Sequence, residues 1–161
     1  MRQMDLFMDE GDLFGRLCSA EYLEKGFRAV KRNKGSAGID GVTIEDFDSR
    51  LEEELSQLSR ELKSWDYRPK PVRRVEIPKP GKGAGVRLLG VPCIRDRVVQ
   101  ATLKLILEPI IDPLFSEHSY GFRPGRNQHQ AVEAAQRIVK TGKEYVVDIG
   151  RSFSIEFITI V

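Results

Sequence analysis

Four prolines in fourteen residues constrain this chain more than anything else in it. The segment reads Tyr67-Arg68-Pro69-Lys70-Pro71-Val72-Arg73-Arg74-Val75-Glu76-Ile77-Pro78-Lys79-Pro80. Each proline lacks a backbone N–H and biases the residue before it toward extended backbone, so no helix can run through here. The segment therefore reads as a strand with a proline-framed exit. Gly81-Lys82-Gly83-Ala84-Gly85 supplies a turn, and Val86 to Val91 returns as a second strand, giving a basic β-hairpin over about 72–91. A lone hairpin is marginal in water. The helical patterns on either side must supply a core.

Those patterns are present. Residues 1–15 form a loose or helical lead-in, and a helix from about Ser19 to Lys31 carries Tyr22, Phe27 and Val30 on its apolar side. Thr43, with Asp46 three residues on, is a good N-cap for a helix from Ile44 to about Ser64. Phe47, Leu51, Leu55, Leu58 and Leu62 make its apolar stripe, which is core and not a cofactor box. After the hairpin, Val99, Leu103, Ile106 and Ile110 recur at helical spacing, and Pro109 and Pro113 bring that helix to an end. Asn127 caps a further helix with Ala131, Ala135, Ile138 and Val139 inward, ending at Gly142, and Tyr145 to Ile149 reads as a buried strand. With no internal repeat and no convincing linker, the chain of 161 residues reads as one α+β unit.

Composition excludes several classes. The N-terminus turns acidic instead of leading into an apolar run, and no apolar stretch approaches the roughly 20 residues of a membrane span. The expectation is a cytoplasmic protein with no membrane partner. Cys18 and Cys93 lack a C-x-x-C neighbour, and His118 and His129 lack metal-site spacing, so reduced core thiols and no metal are expected. Net charge is only +2, but Arg60 to Lys104 holds 12 basic and 4 acidic residues. That imbalance suits a face for phosphates, whereas a solvated basic surface is the plain alternative.

Arrangement favours the phosphate face. Alternation puts Arg73, Val75 and Ile77 on one side of the first strand and Arg74 and Glu76 on the other, while Arg87, Leu89 and Val91 share a side of the return strand. Arginine forks onto phosphate oxygens and lysine serves as a point charge. The tip is not a P-loop or a kinase glycine loop, because it lacks G-x-x-x-x-G-K-[ST] and no V-A-I-K strand follows. Ahead of the hairpin, the turn Asn33 to Gly41 carries Lys34, Gly35, Gly38 and Gly41, which suits either close approach to a partner or a simple linker. Behind it, Ser119-Tyr120-Gly121-Phe122-Arg123-Pro124-Gly125-Arg126 interleaves aromatics with arginines, a composition that stacks on bases while neutralising phosphate. An aromatic tucked into the core is the alternative for Tyr120.

Gly35-Ser36-Ala37-Gly38-Ile39-Asp40-Gly41, Arg73 to Gly81, Leu89-Gly90-Val91-Pro92, Arg95-Asp96-Arg97-Val98-Val99-Gln100 and Ser119 to Arg126 together resemble successive motifs of bacterial group II intron-encoded reverse transcriptases, also called maturases. The resemblance covers roughly residues 20–149. It implies the fingers region of a right-hand polymerase: an N-terminal extension over 1–45 with a glycine-rich lid turn, fingers over 46–143, and the start of a palm strand in 144–161 followed by a divergent tail. It further implies template or RNA contact through Arg73, Arg74, Lys34, Gly35, Gly38, Tyr120, Phe122, Arg123 and Arg126, and triphosphate binding by Lys79 and Arg87. The implied partners are intron RNA or template and an RNA/DNA duplex; the full-length family uses Mg2+ with dNTP substrates.

One departure bears on activity. Phosphoryl transfer of this kind needs two metal ions clamped by carboxylates. The family's first metal-binding strand reads approximately V-D-I-D-L, and this chain has Val147-Asp148-Ile149-Gly150-Arg151, so Gly150 stands at the metal-binding aspartate. The second carboxylate strand of the family is absent after it. The expectation is a truncated enzyme that binds RNA without catalytic residues or a cofactor of its own; the alternatives are a non-catalytic RNA-binding or interaction module, or an unstable pseudogene product. The tail Arg151 to Val161 is expected to continue the preceding strand as a sticky edge.

Overall fold

The computed structural model describes residues 10–81, 85–142, 145–149 and 155–159. It divides into two compact units, Met1–Ile111 and Asp112–Val161. Both helices and antiparallel strand pairs are present, in agreement with an α+β class.

The first unit is a helical cluster carrying a hairpin. Helices α1 (Glu10–Cys18) and α2 (Ala20–Asn33) meet at Ser19, whose hydroxyl caps α2 by accepting from the Tyr22 N–H. Next come α3 (Ile44–Ser49) and α4 (Leu51–Lys63). Thr43 and Asp46 form the expected capping box at α3. The single helix expected from Ile44 to Ser64 is in fact two, broken at Arg50 with φ −123° and ψ 28°. Glu52, Glu53 and Glu54 fall in the first turn of α4, where carboxylates complement the helix N-terminal dipole. Strands β1 (Arg73–Pro78) and β2 (Val86–Val91) then pair antiparallel as the expected hairpin.

Helix α5 (Ile94–Ile111) runs on through Pro109, contrary to the expected stop. Proline in a final turn forfeits one N–H donor with little helix left to disrupt. The chain then tightens into a 3-10 turn at Asp112–Leu114. The buried face of α5 is Val98, Val99, Thr102 and Ile106, whereas Leu103 lies outside it at 37% exposure. Thr102 marks where α2 crosses: a Cβ on Gly26 would stand 2.1 Å from Thr102 Oγ1 and 2.8 Å from the Val98 carbonyl oxygen. Only glycine permits that approach. Phe27 and Phe47 stack at 5.3 Å in the core beside it, with Leu23, Leu58, Ile94 and Val98 fully buried. Cys18 and Cys93 are buried free thiols, as expected.

The second unit holds α6 (Gln128–Val139) and strands β3 (Tyr145–Ile149) and β4 (Ile155–Thr159). Asn127 and Gln130 cap α6 reciprocally. Ala134 is its buried residue, while Ala135 and Ile138 are exposed, so the inward face differs from the one the spacing suggested. β4 pairs antiparallel with β3, Tyr145 opposite Thr159 and Ile149 opposite Ile155. Within the tail, Ile155–Thr159 therefore lies antiparallel beside β3 instead of prolonging it. Gly150 lies outside the described residues.

Candidate nucleic-acid interface

The hairpin register decides which cations share a face. Arg73 opposes Val91, Val75 opposes Leu89 and Ile77 opposes Arg87. Directly opposed residues project to the same side of an antiparallel pair, so Arg73 and Arg87 lie on one face. Lys79 continues that alternation, its N–H donating to the Gly85 carbonyl at 3.0 Å. Arg74 and Glu76 project from the other face and are exposed. Arg74, Lys79 and Arg87 are all exposed, and among the described residues none of the three has a carboxylate partner. Lys82, at the tip, lies outside the described residues.

Arg73 is different. It is half-buried, and its guanidinium donates through Nη2 to the Ser36 hydroxyl at 2.8 Å, which ties β1 to the glycine turn. Arg97, from the first turns of α5, donates to the carbonyls of Pro92 and Ser36. Two arginines thus converge on one serine. The resemblance assigned Lys34, Gly35 and Gly38 to a partner, and the structure separates them. Lys34 and Gly35 are exposed, with φ 56° and 124°. Gly38 is buried: a Cβ there would stand 2.6 Å from the Cys93 Cα, so this glycine serves packing against the start of α5 and does not face a partner.

Two carboxylates anchor this region. Asp40 accepts from Lys70 Nζ at 3.1 Å and from the Val42 N–H at 3.3 Å. Burial alone would raise its pKa, but the Lys70 ammonium, the Cys93 thiol and the Val42 N–H outweigh burial and hold it below the usual carboxylate range. Asp96, 2% exposed, accepts the Tyr67 hydroxyl at 2.6 Å and the Lys70 N–H at 3.0 Å. Burial and this bond push the Tyr67 phenol well above its ordinary value. The proline-rich lead into the hairpin is thereby fixed to α5. Sequence reasoning missed Ser36, Arg97 and Asp96, because each acts across more than 25 positions of sequence.

In the second unit, the loop before α6 is organised by Arg123. Its guanidinium donates to both carboxylate oxygens of Asp112, at 2.8 and 3.2 Å, and to the carbonyls of Asp112, Ser116 and Ser119. The side chain is 9% exposed. Arg123, expected to contact RNA, is instead occupied within its own loop. Asp112, hydrogen-bonded to that guanidinium, is held below the ordinary carboxylate range. Arg126 lies over the Tyr120 ring at 5.4 Å and donates to the Glu117 carbonyl, leaving Tyr120 half-buried. Phe122 is fully exposed at φ 56°.

A strand pair that offers exposed cations without carboxylate partners, rooted on a glycine turn and a helical cluster, defines an α+β unit with a basic hairpin. No family model matches the sequence. Individual relatives do. The chain is 41% identical over 118 residues to Protein YkfC of Escherichia coli, covering 72% of this chain and 30% of that protein. It is 35% identical over 111 residues to the group II intron-encoded protein LtrA of Lactococcus lactis, covering 69% of this chain and 18% of LtrA. It is 32% identical over 143 residues to the putative COX1/OXI3 intron 1 protein of Saccharomyces cerevisiae, covering 88% and 17%. The chain belongs to the family of group II intron-encoded reverse transcriptases and maturases. It spans less than a third of the length of these relatives. Among the described residues no helix is long and apolar enough to cross a membrane, and no cluster of His, Cys, Asp or Glu could hold a metal ion.

Proposed function

We propose that this chain grips RNA, intron RNA or a template strand, through the β1–β2 hairpin, as the fingers of a group II intron reverse transcriptase. The observation that carries this reading is the set of exposed cations Arg74, Lys79 and Arg87, without carboxylate partners, on a strand pair whose root is fixed. A phosphate backbone is the partner that such groups fit, since releasing its counterions favours binding without demanding a shaped pocket. Lys34 and Gly35 extend the surface at the exposed rim of the glycine turn. In the second unit Phe122 offers a bare ring for stacking, with Tyr120 and Arg126 beside it in sequence.

Lys79 and Arg87 are the positions that hold a triphosphate by resemblance. In these 161 residues they act as phosphate contacts, and polymerisation is not expected from these residues alone. Gly150 has no side chain with which to ligate Mg2+, and Asp148 is the neighbouring carboxylate.

The test is a salt titration of binding to structured RNA, single-stranded RNA and duplex DNA. Arg74→Ala and Arg87→Ala should each weaken RNA binding and flatten the log–log salt dependence by about 0.7 for each phosphate no longer neutralised. Arg73→Ala should lower affinity and melting temperature together, because it also frees Ser36. RNA affinity unchanged in the folded Arg74→Ala/Arg87→Ala double variant would refute the reading.

A further inference from the structure

We infer a second RNA contact on the first unit: a base-stacking site at Trp65, separate from the hairpin and resting on the RNA-binding reading. Trp65 is the sole tryptophan of the chain. It sits just past α4, where the Trp65 N–H donates to the Leu62 carbonyl and the Asp66 N–H to the Glu61 carbonyl. That paired pattern is a helix C-cap whose central position takes a left-handed residue, usually glycine. Trp65 adopts it, at φ 61°. A bulky residue held there is strained, and Trp65 is nonetheless 73% exposed as a residue. Strain and exposure together are a poor way to fill a core.

The ring has a support and a neighbouring hollow. Phe14 stacks on one side of it at 4.7 Å and 11°. A hollow of about 250 Å³ opens beside the pair, lined by Leu62, Tyr67, Val99, Leu103 and the exposed Arg68. Arg68 donates through Nη1 alone, to the Trp65 and Tyr67 carbonyls. Its remaining N–H groups have no protein partner among the described residues. Among the described residues Arg68 is the one charged side chain that lines the hollow. An exposed aromatic ring, an apolar hollow and a guanidinium with donors to spare match an unpaired nucleobase with its phosphate. An apolar protein segment would fit the hollow but gains nothing from the Arg68 guanidinium.

The experiment uses the intact chain and two readouts, tryptophan emission and the anisotropy of labelled RNA. Oligoadenylate should quench the Trp65 emission saturably, and an abasic oligomer of equal length should not. Trp65→Gly should bind oligoadenylate about tenfold more weakly, the low end of what losing one stacked base costs. It should do so with little loss of melting temperature, since glycine relieves the left-handed strain. Trp65→Tyr should restore most of the affinity. Binding by anisotropy with unchanged emission, or equal affinity in Trp65→Gly, overturns the stacking site and leaves the hairpin reading intact. Emission that responds to anilinonaphthalene sulfonate but not to RNA also overturns it, in favour of an apolar segment. No binding of any RNA to the folded chain removes both readings.

Discussion

Asp96 is where a single side chain should matter most to the first unit. It is 2% exposed and accepts two hydrogen bonds from the segment that leads into the hairpin, the Tyr67 hydroxyl at 2.6 Å and the Lys70 N–H at 3.0 Å. Hydrogen bonds to a charged group contribute about 1.5–3 kcal/mol each net of water. Tyr67→Phe removes one donor and should cost about 1.5–2 kcal/mol. Asp96→Ala strands both donors and should cost about 3–4 kcal/mol, against a typical domain stability of about 5–15 kcal/mol. The two changes share one hydrogen bond, so the double variant Tyr67→Phe/Asp96→Ala should cost clearly less than the sum of the singles. Urea denaturation followed by circular dichroism at pH 7 gives all three values. Because the latch also aims the hairpin, RNA affinity should fall in Tyr67→Phe under conditions where that variant remains folded. A cost under about 0.5 kcal/mol for Asp96→Ala, or full additivity in the cycle, would refute the latch.

Gly38→Ala should lower the melting temperature and weaken RNA binding, since its methyl group meets the Cys93 backbone at 2.6 Å and the turn must move; thermal melts and the RNA titration check both. Acid should destabilise the fold. Asp40 and Asp112 have folded pKa values lowered from 3.8, so their contribution is complete above the unfolded value and is lost as pH falls through the lowered folded ones. Melting temperature should hold from pH 7 to about 5 and drop below about 4, and Asp112→Asn should remove part of that drop. Arg123→Lys keeps the charge but loses the fork that binds Asp112 and three carbonyls; trypsin should then cleave the chain after Arg126 faster than in the parent.

Local rules made the elements legible. The prolines around Arg73–Pro78, the Thr43–Asp46 and Asn127–Gln130 caps and the return strand at Val86–Val91 all stand where residue chemistry places them. The misreadings share a cause. A continuous apolar stripe hid the break at Arg50, because Phe47 in α3 and Leu51 in α4 keep helical spacing across it. Leu103 and Ile138 fit the periodicity of their helices but not the side their neighbours cover. Which cations are free was not legible either, since Arg73, Arg97 and Arg123 find partners that sequence cannot pair with them.

That last point governs how motifs of this family translate into contacts. Arginine is chosen for phosphate because its fork matches two oxygens, but the same fork matches a carboxylate or a pair of carbonyls equally well. Within one chain the two uses compete, and geometry decides. Arg123, with Asp112 and three carbonyls in reach, has no donor left that points outward at comparable strength. Arg73 is intermediate: one hydroxyl holds one nitrogen, and its buried Nε has no partner. Arg74 and Arg87, on the hairpin strands and with no carboxylate paired to them among the described residues, keep the whole fork for a partner. The motif residues thus divide into those held by partners within the fold and those left free for an outside partner. Glycine divides the same way, with Gly35 at the exposed rim and Gly38 sealed against Cys93. A substitution in the first group is therefore felt first as stability, and one in the second as affinity and salt dependence.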